Sequence, residues 1–196
     1  MLTRIKKKVE EKLTKPAKFL IKVGFTPTTL TLLNLTFSIT AALFYLYAST
    51  LSCLLFAAFF LSLSGFCDML DGVIARVGKM ETILGNFLDS IIDRYSDIIV
   101  VSAITIYYMD TIILLPLFFW GLATIAGSIL TSYVRAKAES LNIKLEGVGL
   151  IERPERLIIL ILTTILLHPE IGIIILALLT NLTVLHRVIY VSKILR

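Results

Sequence analysis

The strongest constraint on this chain is a series of long apolar segments. A helix that crosses a bilayer needs about 20 mostly apolar residues, and 57% of the 196 residues are hydrophobic, which disfavours a soluble helical domain. Only helices and closed barrels span membranes, and these segments lack the two-residue alternation of barrel strands, so helices are predicted. The six candidate spans have approximate bounds of 29–49, 51–74, 82–108, 112–134, 148–168 and 170–191.

Basic residues predict how these spans are oriented. Of the 19 Lys and Arg residues, Arg94 lies inside span three, and the others lie before the first span, in or near the links that follow spans two and four, and toward the end of the chain. The other three links, near Thr50, Asp110 and Pro169, contain none. Because Lys and Arg are enriched in cytoplasmic links, we expect a multi-pass protein of the cell membrane with both termini on the cytoplasmic side.

Residues 1–24 are predicted to form an amphipathic juxtamembrane helix. Apolar side chains recur there at helical spacing among lysines, as in helices that lie on an anionic leaflet. No short apolar core with a small-residue cleavage site follows, so a signal peptide is not expected. The predicted fold is an all-α integral membrane protein, with six transmembrane helices preceded by an N-terminal amphipathic surface helix. Residues 25–196 would form a single six-span domain.

Four aspartates occupy positions inside the second and third predicted spans. Asp68 and Asp71 are near the inner end of one span, and Asp89 and Asp93 are in the first half of the next. Spacings of three and four residues place each pair on one helix face, and both pairs can meet about 10 Å beneath the inner surface. A charge inside a span costs about 3 kcal/mol on insertion scales, so the cluster requires a compensating cation. Asp97 continues the row and is predicted to pair with a charge or to orient a metal ligand.

The aspartate cluster is suited to divalent metal. All-oxygen ligation favours Mg²⁺, Mn²⁺ or Ca²⁺ over zinc, and two such ions suit phosphoryl transfer. Gly72 and Gly85 leave space for a ligand to approach the backbone, and Arg76 lies on the same helix face as Gly72, where a guanidinium would bind phosphate oxygens. These residues favour a phosphoryl-transfer enzyme, but a carboxylate-site metal or ion transporter stays open at this point.

The segment 68–93 resembles the signature of the CDP-alcohol phosphotransferase family, D-x2-D-G-x2-A-R-x8-G-x3-D-x3-D, and every fixed position matches. The resemblance implies a six-span, homodimeric enzyme in which an alcohol acceptor displaces CMP from a CDP-linked donor and a phosphodiester forms. It also implies that Asp68, Asp71 and Asp89 ligate divalent metal, two ions of Mg²⁺ or Mn²⁺. Asp93 would sit at the same metals and act as the general base for the acceptor hydroxyl.

A nucleotide site is implied by the same resemblance. The residues predicted to contact the CDP moiety are Gly72, Arg76, Gly85, Thr28, Thr31 and Thr82. Many family members carry P-N-x-x-T in the first span, where this chain has Pro-Thr-Thr-Leu-Thr at 27–31. Thr31 fits that pattern, whereas Thr28 replaces the usual Asn or Asp. Thr82 could approach the cytidine or could cap the helix that begins there.

The link between spans four and five carries more basic residues than orientation requires. A basic pocket beside the metals would suit an acceptor that bears its own phosphate. The segments 132–139 and 152–157 resemble the S-Y-x-[KR]-A-[KR]-A-E and E-R-x-E-R-L segments of phosphatidylinositol phosphate and archaetidylinositol phosphate synthases, which implies inositol phosphate as acceptor. The predicted acceptor-phosphate ligands are Arg135, Lys137, Arg153 and Arg156. Alternatively, some of them pair with Glu139, Glu152 and Glu155.

Two alternatives to inositol phosphate transfer remain. Within the same reaction class, the acceptor could be glycerol phosphate, serine or another polar alcohol. In the transporter class, repeat symmetry and broken helices usually appear in both halves, whereas spans four to six carry no matching carboxylates. We expect a CDP-lipid donor (CDP-diacylglycerol or CDP-archaeol), inositol phosphate and membrane lipids as partners, and no nucleic acid.

Overall fold

The structure, a computed structural model, is helical apart from one short strand pair, as the apolar segments predict. It describes residues 2–145 and 147–195, with side chains from Leu13 onward. Over these residues the helices are α1 Leu2–Val23, α2 Pro27–Leu46, α3 Leu51–Gly78, α4 Ile83–Tyr107, α5 Leu117–Ser140, α6 Arg153–Ile165 and α7 Pro169–Ile194. Strands β1 (Ile112–Ile113) and β2 (Leu115–Pro116) pair antiparallel just before α5.

Four of these helices, α2, α3, α5 and α7, are long and apolar enough to cross a membrane. Together they indicate a multi-pass membrane protein. Helix α4 has 25 residues, but it carries Asp89, Asp93, Arg94 and Asp97. Helix α6 has 13 residues, which corresponds to about 20 Å at 1.5 Å per residue and is less than the hydrocarbon thickness of about 30 Å.

Two of the segments predicted as spans begin with non-helical structure. The segment expected from residue 112 starts with the strand pair, which turns at Leu114 in a left-handed conformation (φ 64°). The segment expected from residue 148 becomes helical only at Arg153. Gly147 and Gly149 have φ values of 77° and 131°, which suit a turn but not a helix.

Threonine caps start the three helices that surround the aspartates. The hydroxyls of Thr26, Thr50 and Thr82 accept hydrogen bonds from backbone N–H groups three residues further on, a contact that stabilises a helix by about 1 kcal/mol. Helix α3 ends at Gly78, and Lys79 turns the chain with a φ of 53°. Because α2 packs against both α3 and α4, three consecutive helices enclose the carboxylates.

Small residues allow close contacts between the later helices. A Cβ atom at any of three helix glycines would overlap a threonine on a neighbouring helix, a pattern that is typical of helix packing in membranes. The pairs are Gly121 with Thr105, Gly127 with Thr180 and Gly172 with Thr163. The contact at Gly127 joins α5 to α7, so these two helices pack with their backbones close together.

We expect Gly127→Ala to destabilise the protein. The added Cβ would lie 2.8 Å from Asn181 Nδ2 and 2.9 Å from Thr180 Cβ, so α5 and α7 must separate, and such overpacking costs about 1–3 kcal/mol. Thermal unfolding of the detergent-solubilised protein measures the change. Gly65→Ala is the control, because its Cβ meets only the flexible end of Leu157, at 3.3 Å. Equal midpoints for the two variants would contradict a tight contact at Gly127.

Candidate active site

The centre of the site is a group of three carboxylates from two helices. Asp68 and Asp71 on α3 and Asp89 on α4 each place one carboxylate oxygen within 4.8 Å of the others. Asp71 is buried, and the other two are half-buried. The Oδ1 atom of Asp89 is buried without a hydrogen-bond partner among the described residues. Converging carboxylates with an unsatisfied oxygen fit a hard divalent cation such as Mg²⁺ or Mn²⁺, so these residues suit the metal that the sequence predicts.

Asp93 lies one turn beyond Asp89 on α4 and is 9% exposed. Its Oδ1 atom is 2.8 Å from Arg153 Nη1 and 3.5 Å from Asn34 Nδ2. Its Oδ2 atom is 3.6 Å from Arg94 Nη1. The carboxylate is therefore held by groups from three different helices, α2, α4 and α6.

Arg153, the first residue of α6, connects the aspartates to one another. Its Nη1 atom forms ion pairs with Asp68 Oδ1 and Asp93 Oδ1, and its Nε atom is 3.5 Å from Asp97 Oδ1. The other oxygen of Asp97 accepts a hydrogen bond from Arg156 Nη2 at 2.9 Å. Asp97 thus pairs with charge, which is one of the two roles expected for it. Two arginines of α6 compensate the negative charge of the site.

Helix α2 contributes two polar side chains that contact the aspartates. Thr31 Oγ1 donates to Asp71 Oδ2 at 3.1 Å, and Asn34 Nδ2 donates to Asp93 Oδ1 at 3.5 Å. Their spacing of three residues places both on one helix face. The sequence predicts Thr31 as a nucleotide contact, and the structure places it beside Asp71. Asn34 does not belong to the aspartate motif, but a carboxamide inside an apolar span is a signal in the sequence that could have identified it.

The residues predicted to contact CDP lie at the ends of the same three helices. Gly72 is covered by the side chain of Arg76, because a Cβ at this glycine would be 3.5 Å from the Nη1 atom. Thr82 Oγ1 accepts a hydrogen bond from the backbone N–H of Gly85 at 2.9 Å, so the alternative role of Thr82 as a helix cap is observed. Thr28 is exposed in the first turn of α2.

The four basic residues predicted to bind the acceptor form two groups. Arg135 and Lys137 are exposed near the end of α5, and Arg135 Nε is 3.0 Å from Glu139 Oε1. Arg156 is 7% exposed, and it lies with Arg153 at the aspartates. The structure thus places one pair of basic residues within the site and the other pair at the surface of the protein.

Arg187, on α7, is a buried cation that the sequence reasoning treats only as part of the basic C-terminal region. It is 3% exposed, and it donates to Val148 O at 2.8 Å and to Thr131 O at 2.7 Å. Thr183, one turn earlier, accepts a hydrogen bond from the backbone N–H of Ile151 at 3.3 Å. Helix α7 therefore fixes the link that leads into α6. An arginine inside an apolar helix is the signal that could have marked this role.

Comparison with known proteins identifies the family. The family model for CDP-alcohol phosphatidyltransferases matches residues 25–188. The archaetidylinositol phosphate synthase of Methanothermobacter thermautotrophicus is 41% identical over 70% of this chain and 70% of its own. That of Pyrococcus horikoshii is 33% identical over 98% of this chain and 97% of its own. The chain belongs to the CDP-alcohol phosphatidyltransferase family.

Solved structures agree with this assignment. The crystal structure of Mycobacterium tuberculosis phosphatidylinositol phosphate synthase in complex with manganese and citrate is similar with a TM-score of 0.76 and 30% identity, over 91% of this chain and 88% of that one. The crystal structure of the same protein with CDP-DAG bound has a TM-score of 0.72. The resemblance inferred from the aspartate motif is confirmed: the protein is an enzyme, a CDP-alcohol phosphotransferase. The transporter interpretation is therefore set aside.

Proposed function

We propose that this enzyme transfers the phosphatidyl or archaetidyl group of CDP-diacylglycerol or CDP-archaeol to inositol phosphate and releases CMP. The observation that carries the proposal is the contact of Arg153 with Asp68 and Asp93. This arginine belongs to the segment that resembles inositol phosphate synthases, and a guanidinium beside the aspartates is suited to a phosphate on the acceptor. The similarity to two archaeal archaetidylinositol phosphate synthases supports the same acceptor.

Asp68, Asp71, Asp89 and Asp93 are proposed to hold two divalent ions, Mg²⁺ or Mn²⁺. The convergence of three of these carboxylates and the unsatisfied oxygen of Asp89 support this assignment, as does the manganese in the mycobacterial crystal structure. When bound, the ions would neutralise the diphosphate and stabilise the charge on departing CMP. The hydrogen bond from Thr31 to Asp71 keeps one of the ligands in place.

Asp93 is proposed to act as the general base. It takes the proton of the acceptor hydroxyl, whose oxygen bonds to the lipid-linked phosphorus while the bond from that phosphorus to the CMP oxygen breaks. Arg153 and Arg94 lie on either side of the carboxylate, at 2.8 and 3.6 Å. They restrict its rotation, which suits a group that must meet one hydroxyl in a fixed orientation.

The CDP group is proposed to bind between the ends of α2, α3 and α4. The contacts proposed are Thr28, Thr31, Gly72, Arg76, Thr82 and Gly85. The proximity of Gly72 to the guanidinium of Arg76 supports a phosphate contact, because backbone without a side chain lets the phosphate approach a cation closely. The N-termini of α2 and α4 add exposed N–H groups that favour an anion.

The acceptor phosphate is proposed to bind Arg135, Lys137, Arg153 and Arg156. Arg153 would make this contact from beside the aspartates. Arg135 would leave Glu139 to do so, and an exposed pair of this kind contributes only about 0.3–0.5 kcal/mol. The two surface residues would therefore meet the acceptor as it enters.

The membrane arrangement is proposed to have six spans, with α4 as the third and α6 with its preceding link as the fifth. Residues 1–24 would lie as an amphipathic helix on the inner leaflet, and residues 25–196 would form the catalytic domain. Both termini and the active site would face the cytoplasm, because every link that contains basic residues would then lie on that side. We also propose that the protein is a homodimer in the cell membrane.

Release of CMP from the CDP-lipid tests the proposed reaction. We expect purified protein in detergent with Mg²⁺ to release CMP from CDP-archaeol or CDP-diacylglycerol only when inositol phosphate is added. A chelator should stop the release, and added Mg²⁺ or Mn²⁺ should restore it. Free inositol, glycerol phosphate and serine, each added in place of inositol phosphate, are the control acceptors.

The outcomes separate the acceptor from the reaction. Release with glycerol phosphate but not with inositol phosphate would contradict the acceptor and leave the phosphotransferase reaction intact. If no polar alcohol yields CMP from either donor, the proposed reaction is wrong. Release with free inositol at the same rate as with inositol phosphate would contradict the proposed phosphate contacts of the arginines.

A further inference from the structure

Asn34 is a polar side chain in an apolar environment that the proposed reaction does not yet use. It lies in the middle of α2, which is long and apolar enough to cross a membrane, and it is 0% exposed. A buried carboxamide is unfavourable unless its donor and acceptor atoms are both satisfied. Both Nδ2 and Oδ1 of Asn34 therefore need hydrogen-bond partners within the protein.

Both sides of the carboxamide have partners. The Nδ2 atom donates to Asp93 Oδ1 at 3.5 Å, and the Oδ1 atom accepts a hydrogen bond from Ser64 Oγ on α3 at 2.7 Å. Ser64 Oγ is in turn 2.8 Å from Ser38 Oγ on α2. Because an ionised carboxylate only accepts hydrogen bonds, the NH₂ group must face Asp93. The serine then fixes the amide in that orientation.

This series of hydrogen bonds ends at a single oxygen of Asp93. Its Oδ1 atom meets both Arg153 and Asn34, from α6 and α2, at 2.8 and 3.5 Å. Its Oδ2 atom has the longer contact of 3.6 Å to Arg94. One ion pair and one hydrogen bond to the same oxygen restrict the rotation of the carboxylate about its last bond, which leaves the other oxygen with a defined direction.

We propose that Asn34 is a positioning residue for Asp93, and that Ser64 sets the orientation of its amide. Asn34 holds Oδ1 of the carboxylate so that Oδ2 faces the hydroxyl of the acceptor. This inference rests on the proposed role of Asp93 as the general base. Thr31, one turn earlier on the same face, makes a comparable contact with Asp71, so one face of α2 orients carboxylates of both α3 and α4.

The test compares the turnover number with the KM for the donor. Asn34→Leu keeps the volume and removes the donor, and misorientation of a reacting group should lower kcat about 10- to 100-fold. The KM for the CDP-lipid should stay within about two-fold, because binding does not involve this amide. Ser64→Ala should lower kcat by a smaller factor. The control is Thr36→Val on the same helix; among the described residues its hydroxyl bonds only to Leu32 O, at 2.9 Å.

A double-mutant cycle distinguishes positioning from a general loss of structure. If Ser64 acts through the amide, Ser64→Ala should have no further effect on kcat in the Asn34→Leu background. Thermal midpoints of the metal-free variants, measured in parallel, report any loss of fold. A kcat within two-fold of the parent for Asn34→Leu would overturn the proposal, and so would independent, additive effects of the two substitutions.

The Asp93→Asn variant separates the positioning role of Asn34 from the general-base role of Asp93, on which it rests. If Asp93→Asn retains turnover, the base assignment fails, and the role of Asn34 fails with it. If Asp93→Asn is inactive while Asn34→Leu turns over normally, only the positioning role is wrong. A matched fall in kcat and in the thermal midpoint of Asn34→Leu would also overturn it, since packing alone would then account for the effect.

Discussion

Turnover is expected to be lost in Asp93→Asn, while binding of the CDP-lipid stays measurable. The amide keeps the size of the carboxylate but cannot take the proton of the acceptor, and loss of a general base typically lowers the rate by about 10²–10⁴-fold. The remaining cluster of Asp68, Asp71 and Asp89 is left to bind the diphosphate with its metal. CMP release measures turnover, and retention of a labelled CDP-lipid measures binding.

Asp110→Asn is the matched control for this substitution. Asp110 is exposed beyond the end of α4, so the same chemical change there should leave both CMP release and lipid binding unaltered. Turnover of Asp93→Asn close to that of this control would show that another group removes the proton. Loss of both CDP-lipid binding and turnover would instead show that Asp93 acts mainly by binding the donor.

The second large effect is expected for Arg153→Ala, in both stability and turnover. This arginine forms ion pairs with Asp68, Asp93 and Asp97. Its removal takes away the ion pair of Asp68 and leaves Asp93 and Asp97 with one described arginine each, Arg94 and Arg156. Breaking a buried ion pair in this way costs about 3–5 kcal/mol. The thermal midpoint of the solubilised protein, measured with a chelator so that added metal does not mask the loss, should fall markedly. CMP release should fall with it.

The control for Arg153→Ala is Arg135→Ala. Arg135 is paired only with Glu139 among the ion pairs described, four residues along the same helix and exposed, and such pairs contribute less than about 1 kcal/mol. Its removal should leave the midpoint unchanged and raise only the KM for the phosphorylated acceptor. Equal midpoints for the two variants would contradict a structural role for Arg153 at the aspartates.

The helices could be predicted from the sequence more reliably than their ends. Hydrophobic length alone predicted α2, α3 and α7 closely, because a bilayer leaves few alternatives to a helix. The same criterion placed helix where residues 112–116 form a strand pair and where residues 148–152 form an irregular link. These stretches are as apolar as the helices around them, so hydrophobic length does not distinguish them. They differ in backbone conformation, because Leu114 is left-handed and the chain turns at Gly149.

The convergence of the aspartates followed from their spacing, because residues three and four apart share a helix face. The contacts of Asn34 with Asp93 and of Arg187 with Val148 did not follow from any spacing. They depend on which helices pack together, and a single sequence carries no record of that pairing. Thr31 shows the same limit, since the motif indicated its importance but not its hydrogen bond to Asp71.

The site is divided between two parts of the chain, and this division affects how the specificity for the acceptor alcohol can change. Helices α2 to α4 supply the carboxylates and the side chains that orient them, while the proposed acceptor ligands come from residues 135–156. Arg153 is the main bridge between the two parts. We therefore expect substitutions in the later segment that keep Arg153 to redirect the enzyme to a different alcohol without altering the carboxylates. Grafting residues 132–157, with Arg153 retained, from a relative with another acceptor is the corresponding engineering route.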